Sequence, residues 1–207
     1  MPVATTDTDD RSTPDAARAL RGRPRDGAID GAILDATEQA LANRGYEAMT
    51  MSQVAAAAGA SKPTIYLRYR SKAELVAAMI DRLELPLPAA TGKSARDDLV
   101  DLVRMGQLWV DRHGMRLIAA VLLEQADHPE LMDRFRQRVV EPVRAAFAAV
   151  LAVGVARGEL RRGAADDETV DALAGAYWAR SWATRPAPRG WAGRLVDGIL
   201  EGLTPRP

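Results

Sequence analysis

From Ile29 onward, apolar residues recur at steps of three and four positions, which is the spacing of one face of an α-helix. The first such stretch contains Ile29, Ile33, Ala36, Thr37, Ala40 and Leu41, and it ends at Asn43-Arg44-Gly45. Because glycine readily adopts the positive φ that terminates many helices, a helix end is predicted there. The same spacing continues to the end of the chain without a strand pattern, so the sequence predicts an all-α protein of about nine helices.

Three helices with side-chain caps are predicted after the first one. Thr50-Met51-Ser52-Gln53 has the spacing of a capping box, in which the Thr hydroxyl and the Gln side chain each bond the other residue's backbone N–H. Gly59 is expected to end this short helix. Ser61 can then cap a third helix that tolerates Pro63 in its first turn. Ser71-Lys72-Ala73-Glu74 is a second predicted capping box, and it opens a fourth helix.

Prolines and polar segments divide the chain into three parts. Residues 1–25 are polar and lack periodicity, which predicts a disordered basic arm. Residues 26–88 form the unit of capped helices, and residues 89–207 form a larger helical domain that begins with a linker. Within that domain, Pro142 is expected to bend a long helix.

The charge is distributed unevenly, although the formal net charge of the whole chain is zero. Between Arg11 and Lys72 there are ten Lys/Arg and six Asp/Glu, so this part of the chain can face phosphates. The absence of cysteine excludes disulfides and thiolate catalysis. No apolar run approaches the roughly 18 residues that a bilayer requires, and the first 25 residues do not have the pattern of a signal peptide. We therefore expect a cytoplasmic protein without a membrane partner.

The third helix separates into an inward and an outward set of side chains. Ile65 and Tyr69 lie on one face, where they are predicted to pack on the preceding helix. Lys62, Thr64, Tyr66 and Arg68 are predicted to point outward, and they offer an ammonium, a hydroxyl, a phenol and a guanidinium. Such groups suit phosphates and base edges in the major groove. The alternative is an ordinary helical hairpin buried in a core.

An extended cationic strip precedes the first helix. Arg21, Arg23 and Arg25 alternate with Gly22 and Pro24. Arginines in such arms can enter a narrow minor groove. The alternative is a solvated tail.

Residues 29–83 resemble the DNA-binding domain of TetR-family regulators. The resemblance rests on Gly45-Tyr46, Val54-Ala55, Ala58-Gly59-Ala60-Ser61-Lys62, Thr64-Ile65-Tyr66 and Ser71-Lys72-Ala73-Glu74-Leu75. It implies a helix-turn-helix in which Thr50, Tyr66 and Lys72 contact phosphates while Lys62 and Thr64 approach the major groove. Leu67 could meet a thymine methyl group. The full expected DNA-binding set is Arg23, Arg25, Thr50, Ser61, Lys62, Pro63, Thr64, Tyr66, Leu67, Arg68 and Lys72.

The resemblance also implies an effector-binding and dimerisation domain after residue 88. A homodimer interface is expected on the last two helices, at Leu173, Ala176, Trp191, Leu195 and Ile199. An apolar effector pocket is expected among Met105, Trp109, Met115, Ile118, Leu122, Phe147, Tyr177, Trp178 and Trp182. In both cases the alternative is intrachain core packing. The expected function is a DNA-binding regulator, a repressor that a small apolar effector releases from a palindromic operator.

Enzyme chemistry finds little support in the residue types. Glu124 and His128 lie one helical turn apart but lack an evident third metal ligand, and Gly92-Lys93-Ser94 lacks the upstream glycine of a phosphate loop. Ser181 has no identifiable base partner. We therefore expect no catalytic residues, metal or cofactor. The remaining alternatives are a regulator without a small-molecule effector and a helical enzyme or lipid-handling protein that uses the C-terminal cavity.

Overall fold

A computed structural model describes the backbone of residues 23–183 and 186–203, with side chains from residue 27 onward. These residues form α1 (Arg23–Ala48), α2 (Met51–Ala57), α3 (Lys62–Arg68), α4 (Lys72–Asp81), α5 (Ala95–His113), α6 (Met115–Leu123), α7 (Pro129–Phe135), α8 (Glu141–Ala156), α9 (Asp167–Trp182) and α10 (Trp191–Glu201). A π-helical segment, Arg136–Val140, joins α7 to α8. If residues 129–156 are counted as one continuous helix, the described part of the chain has nine helices and no strand. The predicted all-α class is confirmed.

Helix α1 begins at Arg23, six residues before the periodicity becomes visible at Ile29. The predicted arm therefore extends too far, because its last three residues belong to the helix. Proline is tolerated in the first turn of a helix, because the N–H that it lacks would have no helical partner there. Residues 1–22 and the side chains of Arg23 and Arg25 lie outside the described residues. At its other end α1 breaks at Gly45, which has φ 78°, as predicted.

Side-chain caps begin the next three helices. The hydroxyls of Thr50, Ser61 and Ser71 each accept a hydrogen bond from the backbone N–H three residues later, at 3.3, 3.2 and 3.0 Å. The predicted capping box at Thr50 is complete, since its N–H donates to the Gln53 side chain at 3.2 Å. At α4 the second box is incomplete, because the Glu74 carboxylate accepts from the N–H of Arg70 instead of Ser71. These bonds place α2, α3 and α4 by local contacts.

The C-terminal domain is built around α5, which packs against α8, α9 and α10. Gly106 on α5 lies so close to the ring of Tyr177 on α9 that an added Cβ would be 2.7 Å from it. Gly154 on α8 packs equally tightly against Leu160 and Ala95, each 2.8 Å from an added Cβ. The two glycines therefore allow the main helices of this domain to approach closely.

At Pro142, where a bend was expected, the structure shows a change in hydrogen-bond register. Pro142 has no N–H and cannot bond the carbonyl of Arg138, four residues earlier. Immediately before it, the Glu141 N–H donates to the carbonyl of Arg136, five residues back, which is the π-helical pattern. The helix therefore continues through the proline.

The continuous helix from Pro129 to Ala156 corrects the expectation that no segment approaches a membrane-spanning length. By length and composition alone it could cross a bilayer. A single such helix is weak evidence for a membrane, because core helices share these properties. Phe147 and Leu151 are fully buried against the rest of the domain, and 33% of the apolar window of this helix is buried among the described residues.

Candidate nucleic-acid interface and C-terminal cleft

Helix α3 is held by its inner face and open on its outer face. Ile65 is fully buried with Val54 of α2, and Gly59, at φ 67°, permits the tight turn between the two helices. On the outer face Lys62 and Pro63 are exposed, Tyr66 is 52% exposed and Leu67 is 84% exposed. These four residues form the exposed α3 face, a surface that protrudes from the small N-terminal unit.

The hydroxyl groups at the start of α3 are held in place by each other. The Ser61 and Thr64 hydroxyl oxygens lie 2.8 Å apart, and Ser61 also accepts from the Thr64 N–H. Thr64 is half-buried as a result, whereas Thr50 and Ser61 are exposed. The two hydroxyls retain the capacity to accept a bond, but their positions are set by the cap.

Arg68 does not point outward as the sequence predicted. Its Nε donates to Asp30 Oδ1 on α1 at 2.6 Å, and its side chain is only 21% exposed. The reason is helical geometry, since Arg68 lies three residues after the buried Ile65 and shares its face. The guanidinium therefore ties α3 to α1.

Lys72, expected at a phosphate, is bound by the end of α1. Its Nζ donates to the carbonyl of Tyr46 at 2.7 Å and to that of Glu47 at 3.4 Å. It also lies 4.1 Å from the centroid of the Tyr46 ring, in cation–π geometry. Burial and the nearby Glu124 raise the pKa of Tyr46, so its phenol stays neutral.

A largely apolar cleft of about 250 Å³ lies between the π-helical segment with α8 on one side and α9 on the other. Its walls include Val139, Val140, Val143, Ala174, Tyr177 and Trp178. At the rim, Arg144 forms ion pairs with Asp171 and, at 3.2 Å, with Asp167. Burial raises the pKa of Tyr177 to about 12, so the cleft wall carries no charge there at neutral pH.

Only two of the nine expected pocket residues, Tyr177 and Trp178, line this cleft. Phe147 and Ile118 are packed inside the core, and Met105 and Trp109 are also buried. Leu122 and Trp182 lie on the surface, at 39% and 67% exposure, and Met115 is half-buried. Helical spacing identified the apolar faces, but it could not tell which faces meet each other and which border a space.

Two residues that adjoin the cleft walls hold consecutive backbone carbonyls just after α4. Arg138, next to the lining residue Val139, donates from Nε to the Leu83 carbonyl at 2.9 Å. Trp109 donates from its indole N–H to the Glu84 carbonyl at 2.9 Å. The Trp109 ring meets Trp178 edge to face, with centroids 6.5 Å apart. The sequence contained no local signal for these contacts.

Helix α1 is also joined to the C-terminal domain. His113 Nδ1 lies 2.7 Å from Glu38 Oε1, and both side chains are partly buried. His128, which the sequence paired with Glu124 as a weak metal candidate, instead has its Nδ1 3.2 Å from Glu130 Oε1, and its ring packs at a tilt against that of Tyr46, with centroids 4.6 Å apart. Both histidines therefore connect the two parts of the molecule.

The expected dimer residues divide into two groups. Leu173 is fully buried within the monomer, so its assignment to a dimer surface is wrong; it faces α5 because it precedes the core residue Tyr177 by four positions. Ala176, Trp191, Leu195 and Ile199 are half-buried. The exposed residues of α9 include Ala172, Gly175 and Ala179, which are small enough for another helix to approach closely.

Two family models match this chain. Residues 33–79 match the model described as bacterial regulatory proteins of the tetR family, and residues 88–199 match the tetracyclin repressor-like C-terminal domain. An uncharacterized HTH-type transcriptional regulator of Mycobacterium tuberculosis is 37% identical over 173 residues, which cover 81% of this chain and 84% of the relative. The regulator YdeS of Bacillus subtilis is 30% identical, over 79% of this chain and 83% of its own length.

Solved structures show the same fold. The flavonoid-responsive regulator FrrA superposes with a TM-score of 0.65 at 20% identity, covering 87% of this chain and all of its own. Together, the capped α2–turn–α3 unit, its exposed face and these matches define a helix-turn-helix transcriptional regulator that binds DNA. More narrowly, the chain belongs to the TetR family. Its family and relatives are regulators, not enzymes.

Proposed function

We propose that this protein is a cytoplasmic repressor that binds a palindromic operator as a homodimer and leaves it when a small, mainly apolar effector enters the C-terminal cleft. The observation that supports DNA binding is the exposed α3 face. It presents a cation, a phenol and apolar groups on a helix that a side-chain cap holds in place. One α3 makes few contacts, so two copies are needed, with half-sites about 34 Å or a multiple apart. The half-exposed apolar residues of α9 and α10 are available to join them.

The DNA half is tested by binding the purified protein to the duplex flanking its own gene. Lys62→Ala is expected to weaken binding and to lower the slope of log affinity against log salt by about one, because one phosphate contact is lost. Lys93→Ala is the matched control, an exposed lysine in the linker before α5. Equal effects of the two substitutions, or none from either, would contradict this use of α3.

The effector part of the proposal rests on the walls of the cleft and on the two residues that adjoin them, Trp109 and Arg138. A ligand that separates α9 from α8 displaces Trp178, which touches Trp109, and the π-helical segment, which contains Arg138. The side chains of Trp109 and Arg138 donate hydrogen bonds to the carbonyls of Glu84 and Leu83, which follow α4. A ligand with higher affinity for the displaced arrangement therefore shifts the population toward one in which α4 and α3 no longer match the groove.

A planar flavonoid is a reasonable first probe, because FrrA is named as flavonoid-responsive and the cleft offers two aromatic rings. Binding should raise the melting temperature and release operator DNA. Ala174→Phe, which fills the cleft, should abolish both responses, while Ala152→Phe on the exposed side of α8 should leave them unchanged. A broad panel of apolar probes that changes neither the melting temperature nor operator binding would show that the effector proposal is wrong. The DNA-binding proposal would stand, provided that the protein still binds its operator.

A further inference from the structure

The exposed α3 face offers one side chain of the types that read bases through paired hydrogen bonds. Arginine or lysine reads guanine in this way, and asparagine or glutamine reads adenine. Within α3 the residues of these types are Lys62, to which the proposed function assigns a phosphate, and Arg68, which Asp30 holds on the inner face at 2.6 Å. The outer face therefore offers an ammonium at Lys62, a phenol at Tyr66 and two apolar groups.

The apolar groups form a continuous strip. Pro63 and Leu67 are four residues apart and so lie one above the other on the helix, and both are exposed. Leu67, at 84%, is the most exposed large apolar side chain among the described residues. Lys62 and Tyr66 run beside this strip with the same spacing.

The major groove offers one apolar feature, the C5-methyl group of thymine. Placing a leucine against a phosphate instead would remove water from a charged group without giving it a hydrogen bond in return, which is unfavourable. A leucine at the centre of a groove-facing surface is therefore best matched by a methyl group on a base.

We propose that this regulator identifies its half-site through a thymine methyl group seated against Leu67, and that Arg68 does not read a guanine. The proposal rests on the proposed function, in which α3 enters the major groove. It assigns the sequence preference to shape and apolar contact at a T·A pair. The hydrogen-bonding groups beside the strip then serve the backbone and neighbouring positions.

The test removes and adds single methyl groups on the DNA. An operator is first obtained by selecting tight binders from random duplexes with the full-length protein. Each thymine is then replaced by deoxyuridine, which keeps the base pairing and lacks only the C5-methyl. For the wild-type protein, one position per half-site should lose about fourfold in affinity, the value expected for one buried methyl group. At that position, exchanging T·A for C·G should weaken binding, and 5-methylcytosine should restore part of it.

Protein variants connect that effect to Leu67. Leu67→Ala should bind the thymine and deoxyuridine operators equally, and Leu67→Met should keep the difference. Because the residue is exposed, neither change is expected to affect folding. Leu123→Ala is the matched control, a leucine 78% exposed at the end of α6, and it should behave as wild type. Arg68→Lys should leave the selected sequence unchanged.

The outcomes separate the two proposals. If selection enriches no sequence, the DNA-binding proposal itself fails. If a sequence is enriched but every deoxyuridine substitution is neutral, thymine recognition is overturned while DNA binding stands. If Leu67→Ala retains the full deoxyuridine effect, another residue contacts the methyl group, and the assignment to Leu67 is wrong.

Discussion

The N-terminal unit and the C-terminal domain are stabilised by contacts of different range. In the N-terminal unit, helices of only 7, 7 and 10 residues each begin at a hydroxyl cap three residues from its partner. In the C-terminal domain, α5, α8 and α9 have 19, 16 and 16 residues and meet through close approaches such as Gly106 on Tyr177. The DNA-facing helix is thus placed locally, whereas the cleft depends on how distant helices pack.

This difference indicates where the molecule can change shape. A short helix with its cap intact moves as a unit, so α3 keeps its own geometry when the rest of the protein shifts. The cleft lies where a π-helical segment meets α9, and two residues that adjoin its walls, Arg138 and Trp109, hold the carbonyls of Leu83 and Glu84. A change in long-range packing therefore reaches α3 as a change of position.

The largest expected effect comes from crowding the C-terminal core. Gly106→Val should lower the free energy of unfolding by about 3 kcal/mol or more, because its Cβ alone would overlap the Tyr177 ring. Chemical denaturation measures the loss. Tyr177→Ala opens the same space, so the double variant should be more stable than the sum of the two single losses predicts. Additive losses would show that the valine side chain at position 106 does not overlap the Tyr177 ring.

The next effect concerns the linker between the two regions. Asp98 accepts from the hydroxyl of Thr91 at 2.6 Å and from the N–H groups of Thr91 and Gly92. The hydroxyl bond is the main cause of the lowered pKa of Asp98. Hydrogen bonds to a charged group contribute about 1.5–3 kcal/mol.

Because its pKa is lower in the folded state, the Asp98 carboxylate stabilises the fold above its ordinary pKa of 3.8. That contribution is lost as the pH falls below about 4. Asp98→Asn should therefore be less stable at pH 7, and the difference from wild type should shrink on acidification. Asp166 and Asp197 also have lowered pKa values, so the comparison uses the difference between the two proteins. A constant difference across pH 2–7 would contradict this assignment.

Serine substitutions compare the two regions directly. Ser61→Ala removes the cap of α3 and should cost about 1 kcal/mol and weaken operator binding. Ser181→Ala on α9 removes a bond from a hydroxyl to the carbonyl of Tyr177, four residues earlier, and should change stability by less than about 0.5 kcal/mol. Similar losses from both would mean that local capping does not distinguish the N-terminal unit.

The smallest expected effect is a gain in stability from a substitution in α1. Gly31 lies inside α1, and an added Cβ would have only ordinary contact with Arg82, at 3.8 Å. Gly31→Ala should therefore stabilise the protein by about 0.5–1 kcal/mol through helix propensity. Thermal unfolding is the measurement, and a decrease in melting temperature would indicate that the glycine serves a contact not visible in the monomer.

The sequence predicted the N-terminal unit, with its local contacts, better than the C-terminal domain. The caps at Thr50 and Ser61, the turn at Gly59 and the helix break at Gly45 were predictable because each signal lies within four residues of its partner. The TetR-family relationship was predictable for the same reason. The inward position of Arg68 follows from its three-residue spacing to Ile65 and was within reach of the sequence, whereas its partner, Asp30, lies 38 residues away and was not.

The C-terminal assignments required knowledge of which helices touch. Phe147 and Leu173 belong to apolar stripes that suit a pocket or an interface equally well, and packing placed both in the core. The bonds from Arg138 and Trp109 join side chains to backbone carbonyls, which have no sequence signature at all. The sequence predicted that this domain has an apolar cleft, and it correctly placed Tyr177 and Trp178 in the lining.

The five residues of the π-helical segment make this one place in the protein tolerant of a change in length. Successive residues of an α-helix are rotated by about 100°, so a deletion within α8 would turn α7 by that angle relative to the rest of α8. A π-helical turn holds one residue more than an α-helical turn, so deleting one residue from 136–140 would let α-helical bonding resume with little rotation. Arg134, which bonds Asp81 on α4 at 2.5 Å, would then keep its present direction. A single-codon deletion in α8 is therefore expected to disconnect the two halves of the regulator, whereas one in the π-helical segment is not.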